Sequence, residues 1–151
     1  MAAFFGNATH TLDPKGRATI PSLYRDALGS CFTIGFNSQF TALALYPKEK
    51  WDQVSESLAR IPNSDARGML YVRMIASNSF VGCDLDAQGR ILLPAPLREK
   101  AGISKAIRFV GVGQYLEIWD EDRYRKEMEL AEESNEDLLS YVNDRYFSSD
   151  L

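Results

Sequence analysis

Apolar residues along this chain fall in short runs separated by turn-forming residues, and the spacing of those runs changes several times. Arg17–Ile20 and Arg90–Leu93 are rich in β-branched or aliphatic side chains, which predicts two short strands. Each follows an Asp-x-x-Gly-Arg segment, preceded by a further short strand. Its glycine, Gly16 or Gly89, is expected to supply φ > 0 in a tight turn. Pro21 or Pro94 then opens a short helix closed by Gly29 or Gly102, the proline-first, glycine-last order that suits helix ends. Further hairpins are expected near 31–46 and 105–119, with Gly111-Val112-Gly113 marking the bend of the second. From Pro47 the period changes: Trp51, Val54 and Leu58 form the i, i+3, i+7 stripe of a helix. Asp120 is placed to N-cap a corresponding helix with Tyr124, Met128 and Ala131 on one face. Ile61–Asp65 ends the first of these helices and caps another, about 66–77, carrying Met69, Leu70, Val72, Met74 and Ile75. That helix is apolar over more than one face, so it is expected to be covered by another subunit or by the other half of the chain. The stretch 132–147 sets Leu138, Tyr141, Val142 and Phe147 among acids, the pattern of an amphipathic helix.

These elements occur twice. Residues Asp13–Gly29, shifted by 73, lie over Asp86–Gly102, and six of the 17 positions are identical: Asp, Gly, Arg, Pro, Arg and Gly. Ordinary residue frequencies would give roughly one identity. The same offset carries Ile34 and Phe36 onto Ile107 and Phe109, Leu43 onto Leu116, Leu45-Tyr46 onto Ile118-Trp119, and Trp51 onto Tyr124. The chain reads as a tandem duplication with units near 1–76 and 77–151.

Charge changes the picture in one respect. The net value of −4 argues at first against a polyanionic partner. Residues 1–119, however, hold 13 Lys/Arg against 10 Asp/Glu, whereas residues 120–151 hold 4 against 11. The acid is concentrated at the C-terminal end, which leaves room for a basic face elsewhere. Apolar and charged fractions of 45% and 25% fit a globular domain or two small packed ones. No apolar run is long enough to span a membrane, and the first residues lack a signal peptide's basic region, so a cytoplasmic protein is expected. Cys31 and Cys83 read as buried free thiols rather than a disulfide framework.

The duplicated turn admits two readings. Asp13 and Asp86 can accept hydrogen bonds from turn amides and pair with Arg17 and Arg90, so that the motif only braces a bend. Alternatively the turn presents cations outward, where the planar fork of Arg can donate two hydrogen bonds to guanine O6 and N7. Arg25 and Arg98 also repeat, but on a short helix, and are read as structural. For catalysis the sequence offers little. His10 sits in an apparent strand with no second His, and there is neither a Gly-x-Ser-x-Gly elbow nor a Walker loop. Asp84 and Asp86 flank Leu85 in a pattern sometimes used for Mg²⁺, but Asp86 is explained by the turn. No enzymatic activity, cofactor or metal is expected. The aromatics Phe4, Phe5, Tyr46, Trp51, Tyr115, Trp119 and Tyr124 read as core or assembly residues.

Two copies of Asp-x-x-Gly-Arg, each followed four residues later by Pro, a unit of about 75 residues, and the segments Leu45-Tyr46-Pro47 and Ile118-Trp119-Asp120 resemble the MraZ family over residues 4–131. That resemblance implies an α+β fold of two tandem AbrB/SpoVT-like swapped-hairpin β-barrel halves with flanking helices, with chains closing into a homo-oligomeric ring. It implies a nucleoid-associated regulator that binds double-stranded DNA at short G-containing direct repeats upstream of its own operon, which serves cell division and cell-wall synthesis. Carried onto this sequence, the DNA-facing positions are Lys15 and Arg17 in the first turn and Gln88 and Arg90 in the second. Asp13, Gly16, Asp86 and Gly89 brace the turns. The alternative is a ring-forming scaffold without specific DNA binding, which would tolerate loss of both turn arginines.

Overall fold

A computed structural model describes residues 3–147. It is of mixed α+β type, and the described residues fall into two compact units that divide between Glu121 and Asp122. The first contains strands from both repeats. Strands β1 (Asn7–Thr11) and β2 (Arg17–Thr19) lead to helix α1 (Ser22–Leu28), the hairpin β3 (Phe32–Phe36) and β4 (Leu43–Tyr46), and helices α2 (Lys48–Ala59) and α3 (Ala66–Ala76). The second repeat follows with β5 (Phe80–Cys83), β6 (Arg90–Leu92), α4 (Ala95–Lys100), β7 (Ala106–Gly111), β8 (Leu116–Asp120) and α5 (Glu121–Glu133). Helix α6 (Asn135–Val142) and a π-helical turn over Asn143–Phe147 complete the described residues.

Neither turn hairpin closes on itself. Strand β1 pairs instead with β7 of the other repeat, Asn7 opposite Val110 through Thr11 opposite Ala106. Strand β5 returns the exchange by pairing with β3, Phe32 opposite Cys83, with an irregularity before Ile34 opposite Phe80. The short strands β2 and β6 pair only with each other. The result is a six-stranded antiparallel sheet in the order β1-β7-β8-β4-β3-β5, and a separate two-stranded ribbon. The expected barrel-like halves are therefore not seen as closed barrels: β1 and β5 remain as open edges of the sheet. Pro21 and Pro94, the N-caps of α1 and α4, lie one residue beyond Ile20 and Leu93 and stop the ribbon strands from continuing.

The core draws on both repeats. Ala18, Ile20, Leu28, Phe32, Leu43 and Leu45 from the first pack in one buried cluster with Ile91, Leu93, Leu97, Ile107, Phe109 and Leu116 from the second. Each such Ile or Leu contributes about 1.5–3 kcal/mol when fully buried, so the exchanged strands are held mainly by shared apolar surface. Among the described residues no buried side-chain polar atom lacks a hydrogen-bond partner. Glu117 accepts from the Asn37 amide and the Trp119 indole, both at 2.9 Å, and Arg108 pairs with Glu121.

The expected helical stripe on α2 is half-buried: Trp51, Val54 and Leu58 each lie at intermediate exposure. Asp65 caps α3, accepting from Gly68 N–H at 3.0 Å. On α3 only Ile75 is buried, while Leu70 and Met74 stay exposed in the single chain. The thiols are free, as expected, but Cys31 is exposed and Cys83 only partly covered. Cys31 adopts φ 55° at the mouth of β3, where its amide donates to Asp84, so its side chain leaves the inward-facing strand pattern. Tyr46, Trp51 and Tyr115 form one ring cluster, and His10 lies edge-on to Phe109. No helix among the described residues is long and apolar enough to cross a membrane.

Candidate nucleic-acid interface

The two Asp-x-x-Gly-Arg turns are near copies in geometry. In the first, Asp13 Oδ1 accepts from the amides of Lys15 and Arg17 at 3.0 and 2.8 Å, and Oδ2 accepts from Arg17 Nε at 2.5 Å. In the second, Asp86 Oδ1 accepts from the amides of Gln88 and Arg90 at 2.9 and 2.8 Å, and Oδ2 from Arg90 Nε at 2.8 Å. Arg90 also donates to Gln88 Oε1 at 3.2 Å. Each carboxyl is held below its ordinary value, first by the arginine backbone amide it accepts from, with the side-chain bond and the charge of that arginine adding to the effect against some desolvation. Each aspartate thus accepts from two backbone amides and one arginine side chain of its own turn.

Bracing does not use up the arginines. Only Nε of Arg17 is engaged with Asp13, which leaves its terminal amino groups, and the ribbon fixes where both arginines point. Arg17 lies opposite Leu92, and Thr19 lies opposite Arg90. Cross-strand partners and alternate residues share a face, so Arg17, Thr19, Arg90 and Leu92 all project to one side. Ala18 and Ile91 point the other way, into the core. The two motif arginines occupy opposite corners of the outward face, with Cα atoms about 8 Å apart by strand spacing and rise. Lys15 and Gln88 are exposed on the adjoining turns.

The turn glycines carry a constraint beyond their backbone angles. Gly16 and Gly89 have φ of 84° and 76°, which disfavours any other residue. In addition, a Cβ at Gly16 would stand 2.7 Å from Arg98 Cζ, and one at Gly89 would stand 2.4 Å from Arg25 Cζ. The repeated helix arginines therefore lie against the turn of the opposite repeat. Their Nε atoms donate to Ile20 O (Arg25, 2.8 Å) and Leu93 O (Arg98, 3.0 Å). Ile20 N–H in turn donates to Gly89 O at 2.9 Å, and Leu93 N–H to Gly16 O at 3.1 Å. Each turn is closed by a loop of contacts from the other half. The sequence marked Arg25 and Arg98 as structural, but the repeat alone gave no signal that their targets are exchanged.

The cationic surroundings of the turns are unequal. A groove beside the first turn is lined by Leu12, Asp13, Gly16, Arg98, Ser104 and Lys105. At the equivalent positions of the second turn the offset of 73 places Arg25, Cys31 and Phe32, and Phe32 is fully buried. Asp84 is engaged by Cys31 N–H and Asp86 by the turn, so both carboxylates have protein partners.

A family model for MraZ protein matches the chain twice, over residues 3–73 and 79–145. Among curated relatives, the transcriptional regulator MraZ of Heliobacterium modesticaldum is 37% identical over 143 residues, covering 93% of this chain and 97% of that protein. The protein of the same name from Lachnoclostridium phytofermentans is 38% identical over 146 residues, covering 91% and 99%. That from Thioalkalivibrio sulfidiphilus is 39% identical over 129 residues, covering 82% and 83%.

Proposed function

The chain belongs to the MraZ family, and from that premise we propose that it is a sequence-specific DNA-binding regulator of transcription whose reading surface is the β2–β6 ribbon. The observation that carries this reading is the shared outward face of Arg17 and Arg90. The major groove of B-DNA admits a two-stranded β-ribbon, and an arginine fork matches the O6 and N7 acceptors of guanine. Lys15 and Gln88 flank the ribbon on the turns and reach toward phosphates or base edges. Thr19 and the exposed Leu92 lie between the arginines, where a methyl group can meet a thymine methyl. Asp13, Gly16, Asp86 and Gly89 hold the turns so that little side-chain freedom is lost on binding.

One ribbon engages few phosphates and binds weakly at physiological salt. We assign the remaining affinity to repetition: chains assemble into a homo-oligomer, in a ring, and DNA with short direct repeats at matching spacing engages several ribbons together. Exposed Leu70 and Met74 on α3 and Val81 on the open edge strand β5 supply apolar surface for that assembly. The repeats near 1–76 and 77–151 are the two copies of an AbrB-like swapped-hairpin unit, and their strand exchange is the feature that supports this kinship. The regulator acts on DNA upstream of its own operon, in a cytoplasmic, nucleoid-associated setting, on genes of division and wall synthesis. None of these roles is that of an enzyme.

The test is fluorescence anisotropy at two salt concentrations with duplex DNA from upstream of the protein's own gene and a shuffled control. Wild type and the Arg17→Ala/Arg90→Ala variant are compared. Salt-sensitive binding that prefers the native duplex, with that preference lost in the variant, is expected; each bidentate base contact contributes about 1–3 kcal/mol. Equal binding to native and shuffled DNA would reduce the turns to structural elements and leave a ring scaffold as the better reading.

A further inference from the structure

The groove beside the first turn holds a cation, Lys105, whose match at the repeat offset is the buried Phe32, and its chemistry differs from that of the reading face. Arg98 reaches it from α4, fixed by its bond to Leu93 O and seated against Gly16. Lys105 is exposed, and its backbone is tied to the turn because Leu12 N–H donates to Lys105 O at 2.9 Å. The carboxylate in the groove, that of Asp13, accepts from Lys15, from the Arg17 amide and from Arg17 Nε. Asp120, the other nearby acid, accepts from Ser104 N–H and Oγ. No ion pair of Lys105 or Arg98 with a carboxylate is found among the described residues. Two cations of one repeat thus border a turn of the other, beside an aspartate already committed to turn donors.

We propose that this groove, with Arg98 and Lys105 as its charged walls, binds a backbone phosphate of the DNA strand that runs past the first turn. The inference rests on the reading of the ribbon as a DNA-facing surface and adds a positioning contact to it. Phosphate contacts fix register without reading sequence, whereas Arg17 and Arg90 face base edges. The second turn lacks the equivalent lysine, because Phe32 takes the place of Lys105 at the repeat offset and is buried in the core. The bound ribbon is therefore anchored at one end. That gives each chain a direction on the duplex, which suits direct repeats better than palindromes.

Lys105→Gln is the clean probe, since the side chain is exposed and the backbone bond to Leu12 survives. Anisotropy titrations over a range of salt are compared for wild type, Lys105→Gln, Arg17→Ala and the control Lys48→Gln on α2, each with native and shuffled duplex. Lys105→Gln is expected to reduce the slope of log affinity against log salt by about 0.9 per engaged chain. Its preference for native over shuffled DNA should persist, and Lys48→Gln should behave as wild type. An unchanged slope in Lys105→Gln, with preference lost in Arg17→Ala, overturns the groove and leaves the ribbon reading intact. Preference retained in Arg17→Ala overturns the ribbon reading and the groove's assignment to DNA with it. Thermal shift with pyrophosphate distinguishes the other source of the same chemistry. Stabilisation of wild type but not of Lys105→Gln, together with an unchanged DNA slope, would assign the groove to a free phosphate ligand and overturn its place on DNA.

Discussion

At the first turn the brace of Asp13 is surrounded by Lys15, Arg17, Arg98 and Lys105; at the second, Asp86 has Gln88, Arg90 and Arg25 nearby, and the sequence match of Lys105 is the buried Phe32. The hydrogen bonds inside the two turns are nearly superposable in kind and length. The sheet edges that feed them are less alike. Strand β1 runs against β7 in unbroken register, whereas β5 meets β3 with a shift beside Gly82, whose φ is 68°. Duplication has therefore kept the geometry that aims an arginine, while the charge and the regularity around it diverged. The internal bonds are what a turn needs to exist. The exposed positions around them, Lys15, Gln88 and Lys105, are free to specialise, whereas Arg25 and Arg98, seated against the opposite turns, repeat in both halves.

The largest expected effect tests whether the two turns are truly equivalent inside. Gly16→Ala and Gly89→Ala should each lower stability by about 1–3 kcal/mol, from positive φ and from the arginine displaced by the new methyl group. Urea unfolding midpoints check this, and a large difference between the two variants would break the equivalence. Next in size is the crossed coupling. Double-mutant cycles for Gly16 with Arg98, and for Gly89 with Arg25, should give interaction energies of about 0.5–3 kcal/mol. The uncrossed pairs, Gly16 with Arg25 and Gly89 with Arg98, should add within about 0.5 kcal/mol. Coupling within a repeat rather than between repeats would contradict the exchanged braces.

A smaller change should make the turns more alike in charge. Gln88→Lys restores to the second turn the cation that Lys15 gives the first, and the salt slope of DNA binding should steepen by about 0.9 per engaged chain. No change would mean that the second turn lies away from the phosphates. The smallest effect concerns pH. Asp13 and Asp86 titrate below their ordinary value of 3.8, so their contribution to stability is fully present above it and is lost as pH falls through the depressed folded values. Thermal melts should show no dependence from these groups between about pH 5 and 8, and a decline only in stronger acid. A shared midpoint near neutrality in both turns would require another titrating partner.

Much of the architecture could be read from residue order because local rules govern it. The proline and glycine boundaries of α1 and α4, the cap of α3 by Asp65, and the stripe on α2 depend on neighbours within a few positions. The prolines proved to be N-caps rather than first helical residues, a shift of one position. Pairing of β1 with β7 instead of β2 was not legible from the repeat alone, because two copies of one pattern can close on themselves or on each other with the same side chains inside. The resemblance to a family implied swapped-hairpin barrel halves without saying which strands pair, and no closed barrel is seen. The seating of Arg25 and Arg98 on the opposite turns was missed for the same reason. The exposure of Cys31 followed from a local backbone reversal that a count of cysteines cannot show.

The exchange of strands also sets an order on the life of each new molecule. Asn7 pairs with Val110, so an emerging polypeptide must wait for about 100 further residues before its first strand has a partner. At synthesis rates of about 5–20 residues per second that interval is roughly 5–20 s, during which β1 carries an unpaired backbone edge. The β3–β4 hairpin needs no such wait, since both of its strands lie close together in the first repeat. A fragment ending at residue 76 is accordingly expected to protect amides in β3 and β4 from hydrogen exchange while leaving those of β1 and β2 open. The ribbon waits only for β6, about 75 residues after β2, so it can form before the β1–β7 pairing, and a product truncated ahead of residue 90 would lack it.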